Sequence, residues 1–522
     1  MSYQGMGNPV FVLGDDSERT SGQDAQTSNI SAGKAVAESV RTTLGPRGMD
    51  KMLVDSTGEV VITNDGVTIL EEMDIEHPAA QMLVEVAQTQ ESEVGDGTTT
   101  ASVLAGQLLA KAEDLLGQDV HPTTIVEGYA AARDIGYEAL EDLVLEEELD
   151  DALLRTVAAT SMTGKGTGDV NADALADLVV EAVRHVEGEE GANRDDVRVH
   201  TQVGAASSAT ELVEGIIADK EPVRDDMPRD VADATVAVIN TELETREANA
   251  DVEYNITSVD QLNAALDAEE SELRRYAEAV RDAGVDVLVS QKSIDDRVAA
   301  YLAEEGILAL ESVAKSDVSD IANATGATVA GDVTELDDAD LGAAEHVHVE
   351  RFGEDELTFI EGGADASSVT LLVRGSTDHV LSELERAIGD AVDVVVVALD
   401  EEGVVPGAGC AEIVVADRIR SEAASIEGRA QLAAEAFADA LDVLPRTLAE
   451  NTGMDPIDAL VDLRAANESG RAGLITSGEH GEIADPVEHG VIDPVAVKRE
   501  ALGSATEAAT MIARIDDIIS AE

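Results

Sequence analysis

The segment EVGDGTTTASVLAGQLL sets Asp96 between Gly95 and Gly97 and follows it with Thr98, Thr99 and Thr100, before apolar residues take up helical spacing. A helix start leaves its first N–H groups unpaired and carries partial positive charge. Glycines admit an anion close to the backbone and hydroxyls add donors, so these residues can form a phosphate cradle. A bare carboxylate there would repel phosphate. A cation between the two removes the conflict, which makes Asp96 a candidate Mg2+ ligand. The same residues also allow a plain N-cap followed by a spare glycine turn.

Other nucleotide signatures are missing from the sequence. Lys165 in TGKG is followed by Gly166 and lacks the upstream glycine of G-x-x-x-x-G-K-[ST], and no strand leads into G-x-G-x-x-G. A nucleotide site here is of another kind. Three further features carry less. His346 and His348 in EHVHVE share one face of a strand, as metal ligands would, but no third ligand is evident nearby. EEELDD lacks the loop glycine of an EF-hand and reads as solvated surface. The single cysteine, Cys410, excludes an internal disulfide framework, fits a reducing interior, and sits among glycines as a small packed residue.

The elements that must hold the cradle are mostly helical. NISAGKAVAESVRTTL has helical spacing and is stopped by GPRG; KMLVDSTGEVVITNDG reads as a hairpin; HPAAQMLVEVAQTQ and HPTTIVEGYAAARDIGYEAL read as helices. From about 197 to 363 short strands such as ATVAVIN, VDVLVSQ, GILALESV and ATVAGDV alternate with helices, and a polar, sparsely apolar stretch inside this region reads as a projecting arm. Helical texture returns at His379, and DVVVVAL within it reads as a buried packing face. The fold class is therefore multidomain and mostly α with an α/β insert, in a nested, discontinuous arrangement.

Composition narrows the function. Among 522 residues, 109 are acidic and 34 are Lys or Arg, a formal charge of −75, which disfavours nucleic acid and anionic membrane as partners. With 44% hydrophobic residues the chain has enough apolar content to fold. Molar salt cuts the Debye length to roughly 3 Å, so the carboxylate-dense surface predicts a high-salt cytoplasm and loss of stability or assembly on desalting. The opening residues lack a basic stretch followed by an apolar core, and VVVVAL is too short to cross a bilayer, so a cytoplasmic protein is expected.

Read in order, TTLGPRGMDKMLVD, TNDGVTIL, HPAA, EVGDGTTT, TGKG, VVPGAG and GVIDP resemble the chaperonins over essentially the whole chain, and NPV, MDKMLVD and the long arm resemble the group II branch, the thermosome and CCT relatives. The resemblance implies a chaperonin fold: a helical equatorial domain (1–150 and 405–522), an intermediate hinge domain (151–220 and 367–404), and an apical α/β domain (221–366) with a helical protrusion, the lid arm, near 241–276. It implies that Thr42, Leu44, Gly45, Pro46 and Asn64 line a nucleotide pocket, that Asp96 holds Mg2+, and that Gly97, Thr98, Thr99 and Thr100 hold the phosphates. Gly409 and Asp493 match the ribose contacts, and Lys165 a lysine that senses the γ-phosphate. Asp390 matches the catalytic aspartate and Asp55 a second carboxylate on the attacking water; by itself Asp390 would read as a helix-surface charge.

ATP and Mg2+ are the implied cofactors, with K+ a further candidate. Unfolded client proteins and other identical or related subunits in a stacked double ring are the implied partners. Hydrolysis would drive lid closure around the client. The chain departs from the family at Gly407-Ala408-Gly409, where three glycines are usual, at Gly389 within a helix, and at Ser376. Alanine at 408 is tolerable if its φ is negative. A passive holdase ring, or a transferase using the same pocket, are the competing classes; the second requires a further nucleophile or base, which the sequence does not offer.

Overall fold

The structure, a computed structural model, describes residues 18–54, 58, 60–165, 172–188, 191–245, 259–353, 355–363, 368–401, 403–468, 470–477 and 480–520. Asp55 and much of the expected arm lie outside these. The chain divides into two compact units, Met1–Gly166 with Asp393–Glu522, and Thr167–Val392, the second inserted in the first.

The first unit is a bundle of helices. Thr98–Leu116 buries every residue from Ala101 to Gly106 and then Leu108, Leu109, Ala112 and Leu115, so it is a central helix covered on nearly all sides at its start. Around it pack Gln23–Val40, Pro78–Val94 and Val495–Ala513, with Pro122–Glu141 and Ala430–Leu441 beyond. The core closes on Tyr129 and Phe437, whose rings meet edge to face at 5.5 Å. Two helices start alike: His77 and His121 each accept a backbone N–H two residues on, and the proline that follows sits where no N–H is needed. Lys51–Val54 and Val60–Thr63 form the expected hairpin, with Lys51 opposite Thr63.

The second unit is α/β. Its main sheet has Asp230–Ile239 running parallel to Val287–Ser290, which runs parallel to Leu308–Leu310. On the other side Gly342–Phe352, Asp355–Gly363 and Gly215–Ala218 follow in antiparallel order. A separate sheet joins Val369–Gly375 to Val197–Val203 and Glu211–Val213. The helix Val259–Asp282 is polar at first, but Leu273, Tyr276, Ala277 and Val280 are buried in the sheet's core, so the helical end of the expected arm is anchored there. In the first unit, the last turns of Asp378–Asp400 bury Val394, Val395, Val396 and Ala398, the packing face read from DVVVVAL.

Candidate functional site

Pro78–Val94 ends at Gly95 with φ +67°, Asp96 makes the turn, and Gly97 at φ +84° opens Thr98–Leu116. Side chains rarely adopt such φ values, and space forbids them as well. A Cβ on Gly95 would lie 2.1 Å from Asp393 Cβ, and one on Gly97 would lie 2.9 Å from Gln90 Nε2. Gln90 is fully buried and donates to the Asp96 carbonyl at 2.8 Å and to the Val497 carbonyl at 3.2 Å. The Asp96 carboxylate accepts from its neighbour Gly97 N at 2.7 Å, and no side chain caps the helix. The plain N-cap is therefore not what these residues build; the helix start keeps its first N–H groups for another acceptor.

Three more segments converge on that helix start. Thr43 Oγ1 lies 3.4 Å from Thr99 Oγ1, which brings the 42–46 loop alongside. A Cβ on Gly66 would lie 2.5 Å from Thr99 Oγ1, so the Gly66–Glu72 helix also opens against it. Asp65 does cap that second helix, accepting from Thr68 N at 2.9 Å and Thr68 Oγ1 at 2.7 Å. Asn64 Nδ2 donates to the Gly164 carbonyl at 2.6 Å, placing the turn before Lys165 beside Asn64, and Gly164 in turn packs on Gly45 and Pro46. Thr42 Oγ1 is buried with no hydrogen-bond partner, a donor left for a polar ligand. Thr42, Leu44, Gly45, Pro46, Asn64, Gly97, Thr98, Thr99, Thr100 and Lys165 thus share one region with Asp96. Uncapped N–H groups, hydroxyls and one carboxylate suit a phosphate chain with a hard cation.

Gly409 and Asp493 complete the same unit. Gly409, at φ +80°, opens Cys410–Glu422, again with no side-chain cap. Gly45 and Gly409 both pack against Leu448. Asp493 lies opposite Val405 in a two-stranded pairing, its Oδ2 2.9 Å from where a Cβ on Gly407 would sit. Lys498 bridges Asp493 at 2.8 Å and Glu412 at 2.9 Å. Burial opposes its charge, but the two carboxylates outweigh that and raise the ammonium well above its ordinary pKa. Thr100, Glu412 and Lys498 line one pocket with Leu104, Leu140 and Leu444, joining the threonine run to this ion cluster.

Ala408 departs from the expectation. Its φ is +55°, not negative, in a region that costs an L-residue about 1–2 kcal/mol. Its carbonyl is nevertheless held by Leu474 N at 2.8 Å. Cys410 is buried and its thiol is pushed up to about 11 by that burial, which leaves it inert at neutral pH.

Asp390 belongs to the second unit, on Asp378–Asp400, and is 4% exposed. It is not the helix-surface charge that its local sequence resembles; an aspartate is rarely buried without a reason. Asp55 lies outside the described residues. Gln90, Lys498 and Asp393 were not singled out from the sequence. The first two were findable: Gln90 falls on the apolar stripe of Leu83, Val86, Ala87 and Val94, and Lys498 on that of Val495, Leu502, Ala505 and Ala509.

Residues 36–522 match the model of the TCP-1/cpn60 chaperonin family. Thermosome subunit 3 of Haloferax volcanii is 67% identical over 520 residues, covering 99% of both chains. Thermosome subunit alpha of Halobacterium salinarum is 52% identical over 520 residues, covering 99% of this chain and 92% of the relative. The thermosome subunit of Methanopyrus kandleri is 50% identical over 522 residues, covering 99% and 96%. The chain belongs to the TCP-1/cpn60 chaperonin family.

This chaperonin has the group II character read from its motifs, and its helical bundle with an inserted α/β unit is the multidomain fold expected. It is a ring-forming chaperone subunit that binds and hydrolyses ATP and takes unfolded proteins as clients. Among the described residues of this chaperonin no helix is long and apolar enough to cross a membrane.

Proposed function

We propose that ATP binds with its phosphates on the N-terminus of Thr98–Leu116 and that Asp96 holds the accompanying Mg2+. One observation carries the reading: a helix start without a side-chain cap, reached through a carboxylate turn that a buried glutamine pins. Thr98, Thr99, Thr100 and Gly97 N–H hold phosphate oxygens, and the 42–46 loop with Asn64 closes over them. Gly409 and Asp493 take the ribose, with Lys498 fixing the Asp493 carboxylate. When bound, Mg2+ supplies charge neutralisation on the phosphates; K+ is a second cation for the same oxygens.

Asp390 accepts a proton from the attacking water, Asp55 helps place that water, and Lys165 senses the γ-phosphate. A positioned base contributes about 10²–10⁴-fold to such a step. The finer division into equatorial, intermediate and apical domains gives Lys165 and Asp390 to the intermediate domain, whose swing brings Asp390 to the nucleotide. The apical arm then closes as a lid over the client.

Identical or related subunits assemble as a stacked double ring in a cytoplasm rich in salt. Exposed Met49, Met52, Val54 and Val60 on and beside the paired strands Lys51–Val54 and Val60–Thr63 support a subunit contact there, since an exposed apolar strand edge seeks a partner. A charge of −75 argues against nucleic acid or an anionic membrane as partner.

The test is ATPase rate and refolding yield, in molar KCl, for wild type and Asp390→Ala. The variant is expected to bind ATP and to lose about 10²-fold or more in hydrolysis, with refolding lost in parallel. Hydrolysis at the wild-type rate would overturn the assignment. Wild-type ATP binding without client release would mark a holdase instead.

A further inference from the structure

The main sheet of the second unit gathers side chains that the nucleotide site does not use. His346 and His348 alternate onto one face of Gly342–Phe352, and Glu361 on the neighbouring strand is the registered partner of His346. The third ligand missing from the local sequence is supplied across the sheet. Glu361 Oε2 lies 3.5 Å from Nδ1 of both histidines. One ligand atom from each of the three residues lies within 4.8 Å of the other two. We propose that His346, His348 and Glu361 form a binding site for a divalent transition-metal ion of the Zn2+ class, with the fourth position left to water.

Three features favour a metal over a plain ion cluster. First, 3.5 Å is long for a hydrogen bond, and His348 Nδ1 is buried with no hydrogen-bond partner. It is instead close to the edge of a tetrahedron whose centre is about 2.0–2.2 Å from nitrogen and oxygen ligands, roughly 3.4 Å. Second, the other nitrogen of each ring meets its own carboxylate, His346 Nε2 with Asp230 at 3.4 Å and His348 Nε2 with Glu350 at 3.5 Å. At these distances neither is a formed hydrogen bond, but each carboxylate stands beside the far nitrogen of its ring, where it would draw the proton to Nε2 and leave Nδ1 free for the ion. Third, the rings are held in place. They stack on each other at 4.6 Å, and Phe359 stacks on His348 at 4.9 Å. Two imidazoles and one carboxylate select Zn2+, Cu2+ or Ni2+ over Mg2+ and Ca2+, which take oxygen-rich sets. A bound ion would tie two strands of the sheet together.

The test uses the full chain in molar KCl with excess Mg2+, which occupies the diffuse surface carboxylates. Zn2+ is titrated against a chromogenic chelator, and Co2+ is followed by its visible absorption. Wild type is expected to bind one tight Zn2+ per chain, to give the intense Co2+ spectrum of a four-coordinate site, and to unfold at a higher temperature with Zn2+. His348→Ala and Glu361→Gln should each weaken binding by at least tenfold and lose the Co2+ spectrum, while ATP hydrolysis without added Zn2+ is unchanged. His346→Ala, at a side chain 39% exposed, removes a ligand without emptying a buried position and gives the same result even if His348→Ala fails to fold. Equal binding by wild type and variants, or only the pale spectrum of six-coordinate Co2+, would overturn the proposal in favour of bulk carboxylate binding.

Discussion

Gln90 Nε2 lies 2.8 Å from the Asp96 carbonyl and holds the turn that presents the Asp96 carboxylate. The Gln90 amide is fully buried, while Asp96 and Gly97 in the turn it pins are partly exposed. Gln90→Leu keeps the volume and removes both bonds. Leaving the Asp96 carbonyl unpaired is expected to cost about 1–3 kcal/mol in unfolding experiments, whereas the Val497 carbonyl keeps its partner within the helix Val495–Ala513. Outer-shell losses of this kind lower metal affinity or activity by about 10–100-fold, so the Mg2+ concentration needed for half-maximal ATPase should rise accordingly. An unchanged Mg2+ requirement would show that the turn is held by something else.

Ala408 pays for its Cβ in backbone strain, at φ +55°. Ala408→Gly removes the strain and is expected to raise stability by about 1 kcal/mol, less the entropy gained by the unfolded chain. The space allows it, and Gly473 packs directly on Ala408 Cβ. Chemical denaturation in molar KCl reads the change. A destabilised glycine variant would mean that the methyl contact with Gly473 outweighs the strain.

His200, on Val197–Val203, has its pKa lowered from the ordinary 6.5 by burial, with Asp219 acting in the other direction. Its Nε2 is buried without a hydrogen-bond partner. The folded protein therefore holds the ring neutral, while the unfolded chain takes up a proton below pH 6.5. Stability from the neutral ring is fully present above that pH and is lost as pH falls through the lowered folded value. Between about pH 7.5 and about pH 5.5, wild type should lose more stability than His200→Gln. Parallel curves for the two proteins would contradict this.

Much of the cradle is legible in the sequence because its determinants are local. Glycines flanking Asp96, followed by three threonines, specify a left-handed turn and a helix start without reference to the rest of the chain. The converging loops are not local. Asn64 meets Gly164, and Gly66 meets Thr99, only because the helices between them fold back through a shared core. Asp390 shows the limit from another side: a carboxylate on a helix reads the same whether it faces water or the interior, and only packing buries it. Glu361 likewise joins His346 through strand register, which alternation alone does not fix. The two buried polar residues missed by motif reading, Gln90 and Lys498, each occupy a stripe position where an apolar residue is the default, and that mismatch is the signal that finds them.

Asp96 is the carboxylate proposed to bring magnesium to the phosphates. ATP binding to wild type and Asp96→Ala, titrated in molar KCl with and without Mg2+, tests it directly. Wild type is expected to bind ATP at least tenfold more tightly with Mg2+, and the variant to lose that dependence along with hydrolysis. If Asp96→Ala keeps both the Mg2+ dependence and the ATPase rate of wild type, the nucleotide does not rest on this turn.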